Sequence, residues 1–128
     1  MRYLLDTHTF LWWITDDERL SERARAIIAD GQSVLYLSAA SAWEIAIKAR
    51  LGRLELANDP EELIPEQMAL NHIEGLPVQV SHGFHVFSLP NHHRDPFDRL
   101  LVSQSQLEGL PLLTADPNLA QYDVPIVW

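Results

Sequence analysis

Apolar residues along the chain fall into short unbroken runs and longer stretches where they recur at helical spacing. Tyr3-Leu4-Leu5 stops at Asp6-Thr7, the pattern of a buried strand ending on a polar residue. Residues 8–14 (HTFLWWI) are too apolar for a loop and predict a helix after a tight turn. Leu20, Ala24, Ile27 and Ile28 then recur at helical spacing, with Ser21 as cap and Gly31 as stop. Residues 34–37 predict a second buried strand, and residues 41–50 a helix closed by Gly52, opened by a capping box of Ser41 and Glu44. Asp59-Pro60-Glu61-Glu62 marks a further helix start, and Pro65 is expected to interrupt or restart that helix. Residues 77–80 predict a short strand, 81–89 a short helix, and 95–107 a helix ended by Gly109. Residues 110–114 and 125–128 predict the last strands. Short apolar runs alternating with helix-length segments indicate an α/β chain with a parallel sheet covered on both faces.

Composition narrows the class. A chain of 128 residues fits one domain and buries roughly two-thirds of its unfolded surface. With 47% hydrophobic and 21% charged residues it is globular in character, not disordered. The lack of cysteine excludes disulfides, thiolate nucleophiles and Cys-ligated zinc, and makes a cytoplasmic chain the simplest expectation. Asp6 breaks the opening apolar run too early for a secretory signal. The longest stretch free of Lys, Arg, Asp and Glu, residues 75–93, contains Pro77, Gln79, Pro90 and four histidines, so no membrane span is expected. Nine Lys and Arg against eighteen Asp and Glu give a net charge of −9, and protonating all six histidines still leaves the chain negative. An undirected electrostatic grip on a polyanion is thereby excluded. Nucleic acid could be handled only if a divalent cation or a basic partner screened the carboxylates locally.

Ligands of open parallel sheets gather outside the carboxyl ends of the strands. Asp6 follows the first strand, Asp116 follows the Leu-Thr-Ala ending of a later one, Asp98 lies in the first turn of a helix, and Glu44 lies in the helix after the second strand. These four acids are expected to meet at one sheet edge, where hard oxygen ligands suit Mg2+ or Mn2+. Without a cation such a cluster would repel itself and raise its pKa values. Each acid also has a structural reading. Glu44 completes the capping box or pairs with Lys48, Asp95 caps the helix at Pro96, Asp98 is favoured there by the helix dipole, and Asp116 opens a turn. Asp6 is the hardest of them to explain structurally, because an acid ending a buried first strand contributes nothing obvious to stability. His82, His85, His92 and His93 form a competing constellation, but without a His-Glu-x-x-His pattern a surface or capping role is expected over zinc. Trp12, Trp13 and Trp43 fall in apolar helices and are expected in the core. Phosphate-binding glycine loops, dinucleotide fingerprints and serine elbows are not seen.

Taken together, LLDTHTFLWW at 4–13, SAWEIAIKARLGRLEL at 41–56, HHRDPFDRLLVSQSQLEGLPLLTAD at 92–116 and the terminal YDVPIVW resemble the PIN-domain family. The likeness is greatest to the VapC-type toxins of bacterial toxin–antitoxin pairs, in the branch carrying Trp-Glu-Ile and Asp-Pro-Phe-Asp-Arg, and residues 58–77 match loosely. The resemblance implies a single PIN domain over residues 1–128 with a three-layer α/β/α fold and a central, mostly parallel sheet. It implies a magnesium-dependent endoribonuclease, with Mn2+ as substitute, that cleaves RNA phosphodiester bonds by a metal-activated water. The family's four acids fall on Asp6, Glu44, Asp98 and Asp116; Asp6, Asp98 and Asp116 are the implied metal ligands, with Asp95 and Glu44 as further candidates. This chain departs from the commoner pattern in Asp95 and in Val102-Ser103, where small alanines are usual. A cognate antitoxin and a homodimer are implied partners, with the apolar stretch from Phe10 to Ile14 as candidate exposed surface for a neighbour. Lys48, Arg50, Arg53 and Arg94 are the candidate RNA contacts.

Other classes fit less well. A haloacid-dehalogenase-type phosphatase would need an aspartate two residues after Asp6, where His8 stands. A receiver-type signalling domain needs a late lysine, and none follows Lys48. An inactive PIN-fold interaction module and a stand-alone RNA-processing nuclease are the remaining alternatives.

Overall fold

Alternate residues of the first strand enter different cores, which is what gives the fold three layers. The computed structural model describes residues 1–128. In β1 (Arg2–Leu5), Tyr3 and Leu5 pack with Phe10, Ala24, Ile28, Ile45 and Ile64, while Leu4 packs with Leu101, Val102, Leu110 and Leu119. The first core lies under α1 (Thr7–Ile14), α2 (Glu22–Ala29), α3 (Ala39–Arg50) and α4 (Pro60–Leu70). The second lies under α6 (Pro96–Glu108) and the chain around Leu119 and Tyr122. Burial on both faces explains why the strands read as unbroken apolar runs.

The remaining strands are β2 (Val34–Ser38), β3 (Ile73–Leu76), β4 (Leu112–Leu113) and β5 (Ile126–Val127). All pairings are parallel, in the order β3-β2-β1-β4-β5, so the class expected from the sequence is the class observed. The chain builds outward from β1 to β2 and β3, then returns to lay β4 and β5 on the other side. That reversal makes β1 and β4 the switch point of the sheet, where parallel α/β folds form their crevice. No helix is long and apolar enough to cross a membrane.

Several local expectations are corrected. Ser38, not Ser41, caps α3, its hydroxyl accepting from the Ala40 amide at 3.0 Å. Ser41 is instead buried inside the helix beside Thr7. Pro65 does not interrupt α4: its ring and the Glu61 carbonyl that loses an amide partner are both solvent-exposed, so water can replace the missing bond. The third strand is residues 73–76, not 77–80. It is an edge strand with Glu74 and Gly75 exposed, which broke the apolar signal, and Pro77 ends it because proline cannot donate to a ladder. Val80 opens α5 (Val80–His85), which runs into a 3-10 turn at Val86–Ser88. Of residues 10–14, Phe10 is fully buried and Leu11 to Ile14 are partly buried against the first core, with Leu11 and Trp12 also lining a cleft. Trp12 and Trp13 pack there as expected, but Trp43 is 62% exposed, edge-on to Phe97 at 5.3 Å.

Local capping elsewhere follows the sequence. Ser21 accepts from the Ala24 amide, and Asp95 accepts from the amides of Phe97 and Asp98. The unusual Ser103 has a reason: its buried hydroxyl donates to the His82 carbonyl at 2.7 Å, tying α6 to α5. Gly109 ends α6 in the left-handed region at φ 66°, with open space where a side chain would stand. Gly109→Ala is therefore expected to lower stability by about 1–2 kcal/mol from backbone strain alone. A denaturant titration measures it, and an unchanged midpoint would refute the strain.

Candidate active site

The switch point brings the sequence-predicted acids to one edge. Asp6 follows β1 directly and occupies the cap position of α1, but its carboxylate makes no capping hydrogen bond there. Its Oδ2 instead accepts from the Thr114 hydroxyl at 2.8 Å, across the β1–β4 junction. Thr114 also receives the Asp116 amide at 3.0 Å, so one side chain ties both acids to the same corner. Asp116 closes a short turn, accepting the Asn118 amide on Oδ1. Asp6 and Asp116 share a cleft of about 320 Å³ with His8, Thr9, Trp12 and Arg19.

Asp98 arrives from the first turn of α6. Its carboxyl is pushed up to about 8, first by burial and then by the charges of Asp95, Asp6, Asp116 and Glu44. Every acid singled out in the sequence is therefore within electrostatic reach of Asp98. Asp6, only 3% exposed, is also raised, by burial above all and also by Asp116, while the Thr114 hydroxyl, His8 and the Thr7 amide pull the other way.

Glu44 and Asp95 are already engaged. Glu44 is 3% exposed, with Thr7 Oγ1 at 2.8 Å from Oε1 and Lys48 Nζ at 2.6 Å from Oε2. Its structural reading is thus partner to Lys48, whose pKa is raised by that hydrogen bond and by the charges of Glu44, Asp95 and Asp98. The capping-box reading fails. Asp95 spends Oδ1 on two amides of α6.

The histidines do not converge. Buried His82 accepts the Gln79 amide on Nδ1, a capping role, and His85 Nε2 lies 2.8 Å from Gln106 Oε1. His93 behaves differently, 3.1 Å from Asp98 Oδ2 and 2.7 Å from the Tyr122 hydroxyl. Of the candidate RNA contacts, Lys48 and Arg53 line a second cleft of about 650 Å³ that shares His8, Trp12 and Arg19 with the first. Arg50 points elsewhere, lining a hollow with Asp59 and Glu61. Arg19, missed in the sequence, is held by Asp17 at 2.7 Å and lies over Trp12 at 4.9 Å. Thr7, Thr114 and Tyr122 were likewise missed; only Thr114, in the Leu-x-Thr ending before Asp116, carried a sequence signal.

A parallel three-layer sheet with carboxylates gathered at its switch point defines an acidic-site α/β protein. The chain belongs to the PIN-domain family, which matches residues 3–125. It is 41% identical over 61 residues to Ribonuclease VapC16 of Mycobacterium tuberculosis, a match spanning 48% of this chain but only 43% of that protein. It is 29% identical over 123 residues to Ribonuclease VapC22 of the same organism, covering 95% of this chain and 92% of the relative. The same fold occurs in a chain of VapBC2 from Rickettsia felis bound to a DNA fragment from their promoter, with TM-score 0.71, 13% identity and coverage of 100% and 98%. It also occurs in a chain of FitAB bound to an IR36 DNA fragment, with TM-score 0.65, 18% identity and coverage of 99% and 94%.

The raised carboxyls make stability depend on pH in a defined direction. Between the ordinary aspartate range and about 8, folded Asp98 keeps a proton that the unfolded chain has lost, so stability falls as pH rises through that window. Thermal melts in EDTA should show Tm declining from about pH 5 to 8, and Asp98→Asn should flatten the decline. A slope equal in both proteins would refute the assignment.

Proposed function

We propose that this chain is a Mg2+- or Mn2+-dependent endoribonuclease and the toxin of a toxin–antitoxin pair. The observation that carries the reading is Asp98, a carboxyl held in the field of four others in a chain of net charge −9. Like charges gathered at that cost are made tolerable by a cation. The donors are all carboxylates, hard oxygen ligands of the kind that suit a hydrated divalent cation held by a few side chains. Asp6, Asp98 and Asp116 would hold it. Asp95 offers its uncapped oxygen, and Glu44 contributes charge while its oxygens stay with Thr7 and Lys48. When bound, the ion supplies Lewis acidity to the scissile phosphate and makes water nucleophilic at neutral pH. The chain's own carboxylates would orient the attacking water and accept its proton.

RNA rather than a small phosphate is favoured by what rims the acids. Lys48, Arg53 and Arg19 line adjoining clefts, and Trp43, beside Glu44 in sequence, exposes a ring on which a base can stack. Purified protein should cut RNA with Mg2+ or Mn2+ and stop on chelation; undiminished cutting in excess EDTA would sink the reading. Asp98→Asn removes charge but little volume, so it should abolish cleavage with little loss of stability. Asp95→Asn keeps a capping group, where full loss of the cap costs about 0.5–2 kcal/mol, and should reduce activity less. Equal losses would make Asp95 a ligand, and full activity in Asp98→Asn would remove Asp98 from the site.

The partners follow from the same reading. An antitoxin segment with a basic side chain entering the acidic cleft would satisfy the charge there. A homodimer would find more exposed apolar surface than α1 on the outer face of α5 and its following turn, where Val80, Phe84 and Phe87 are exposed at i, i+4 and i+7, Phe87 by 95%. Light scattering should report a dimer for the natural chain and a monomer for Phe84→Glu/Phe87→Glu. A natural chain that stays monomeric at all concentrations would refute the pairing.

A further inference from the structure

Asp98 is the end of a chain of hydrogen bonds whose direction can be worked out. Its Oδ2 lies 3.1 Å from His93 Nε2, His93 Nδ1 lies 2.7 Å from the Tyr122 hydroxyl, and Arg99 Nη1 donates to that hydroxyl at 3.0 Å. The side chains of His93 and Asp98 are each only 13% exposed, and Tyr122 is buried. A guanidinium has donors and no acceptor, so the Tyr122 oxygen must accept from Arg99. The phenol then has one proton of its own, and His93 Nδ1 is the acceptor within reach. Nδ1 is thereby left without a proton, and Nε2 carries it toward Asp98.

We propose that His93 is a positioning residue for Asp98, locked by Tyr122 and Arg99 into the tautomer that donates from Nε2. This deepens the metal-site reading above and rests on it. One carboxylate oxygen is thereby pinned by His93, and the other would remain free for a cation. Arg99 anchors the other end. The same Nη1 donates to the Pro90 carbonyl at 2.7 Å, and Nη2 reaches toward the Val86 and Leu89 carbonyls at 3.4 and 3.5 Å. The segment carrying His93 is thus stapled to α6, the helix that carries Asp98. Partners that orient ligating groups in this way typically contribute 10–100-fold to metal affinity.

The test uses the whole chain without RNA. Long-range ¹H–¹⁵N spectra should show His93 with its proton on Nε2, and Tyr122→Phe, which keeps the ring but loses the hydroxyl, should release it into a mixture of tautomers. Calorimetric titration with Mn2+ should show affinity roughly 10–100-fold weaker in His93→Ala. His93→Gln, whose amide N–H can stand where Nε2 stands, should recover most of it. A merely structural histidine would leave Mn2+ affinity unchanged and would not be rescued by glutamine. Should His93→Ala fold poorly, the natural chain, Tyr122→Phe and His93→Gln still decide the matter. A proton on Nδ1 in the natural chain, or equal Mn2+ affinity across the folded variants, overturns the proposal while leaving the acidic site intact. A natural chain that binds Mn2+ but leaves RNA uncut overturns the nuclease reading instead.

Discussion

Carboxylates that repel one another have to be held in place, and much of this fold is the device that holds them. Burial and neighbouring charge both raise Asp98, and burial raises Asp6. Each acid is met by something different. A threonine hydroxyl holds Asp6, an ammonium group holds Glu44, helix amides hold Asp95, a turn amide holds Asp116, and an imidazole holds Asp98. These restraints come from the segment just after β4, from α3, α6 and the loop before α6, so the site's geometry depends on the sheet order. A displacement of β4 relative to β1 would break the Thr114–Asp6 bond and move Asp116 with it.

Lys48 gives the site a fixed positive charge in addition to any ion it takes up. Its bond to Glu44 is the main reason it holds its proton so firmly, and Asp95 and Asp98 add to the effect. A half-exposed ammonium does little for stability by itself. Its value lies in offsetting the repulsion that buried Glu44 would otherwise add. That explains why Glu44, though placed among the acids, is the least available of them to an incoming cation.

What could be read from sequence was what is decided locally. The caps at Ser21 and Asp95, the glycine stop at Gly109 and the apolar runs of β1 and β2 all follow from residues within a turn or a strand of each other. The errors arose where a distant residue decided. Ser41 and Glu44 fit a capping box by spacing, but Thr7, 34 and 37 residues away, draws both inward, leaving Ser38 to cap. Edge strand β3 escaped because one side of it meets water and needs no apolar run. Trp43 had the neighbours of a core residue, but its ring meets Phe97 at the surface. Convergence of the acids was legible because strand ends in a parallel sheet lie at one edge. The His93–Tyr122 contact spans 29 residues with no periodicity, and no pattern announces it.

The bond from Thr114 to Asp6 joins residues 108 apart, and β4 is the neighbour that completes one side of central β1. On the ribosome, the Leu112 and Leu113 partners of β1 emerge more than a hundred residues after it. Until they emerge, one edge of the central strand has no ladder and Asp6 has neither its hydroxyl nor Asp116 beside it. The nascent domain is thus without its acidic centre until β4 has emerged. Anything that recognises the assembled cleft has nothing to grasp before β4 is in place.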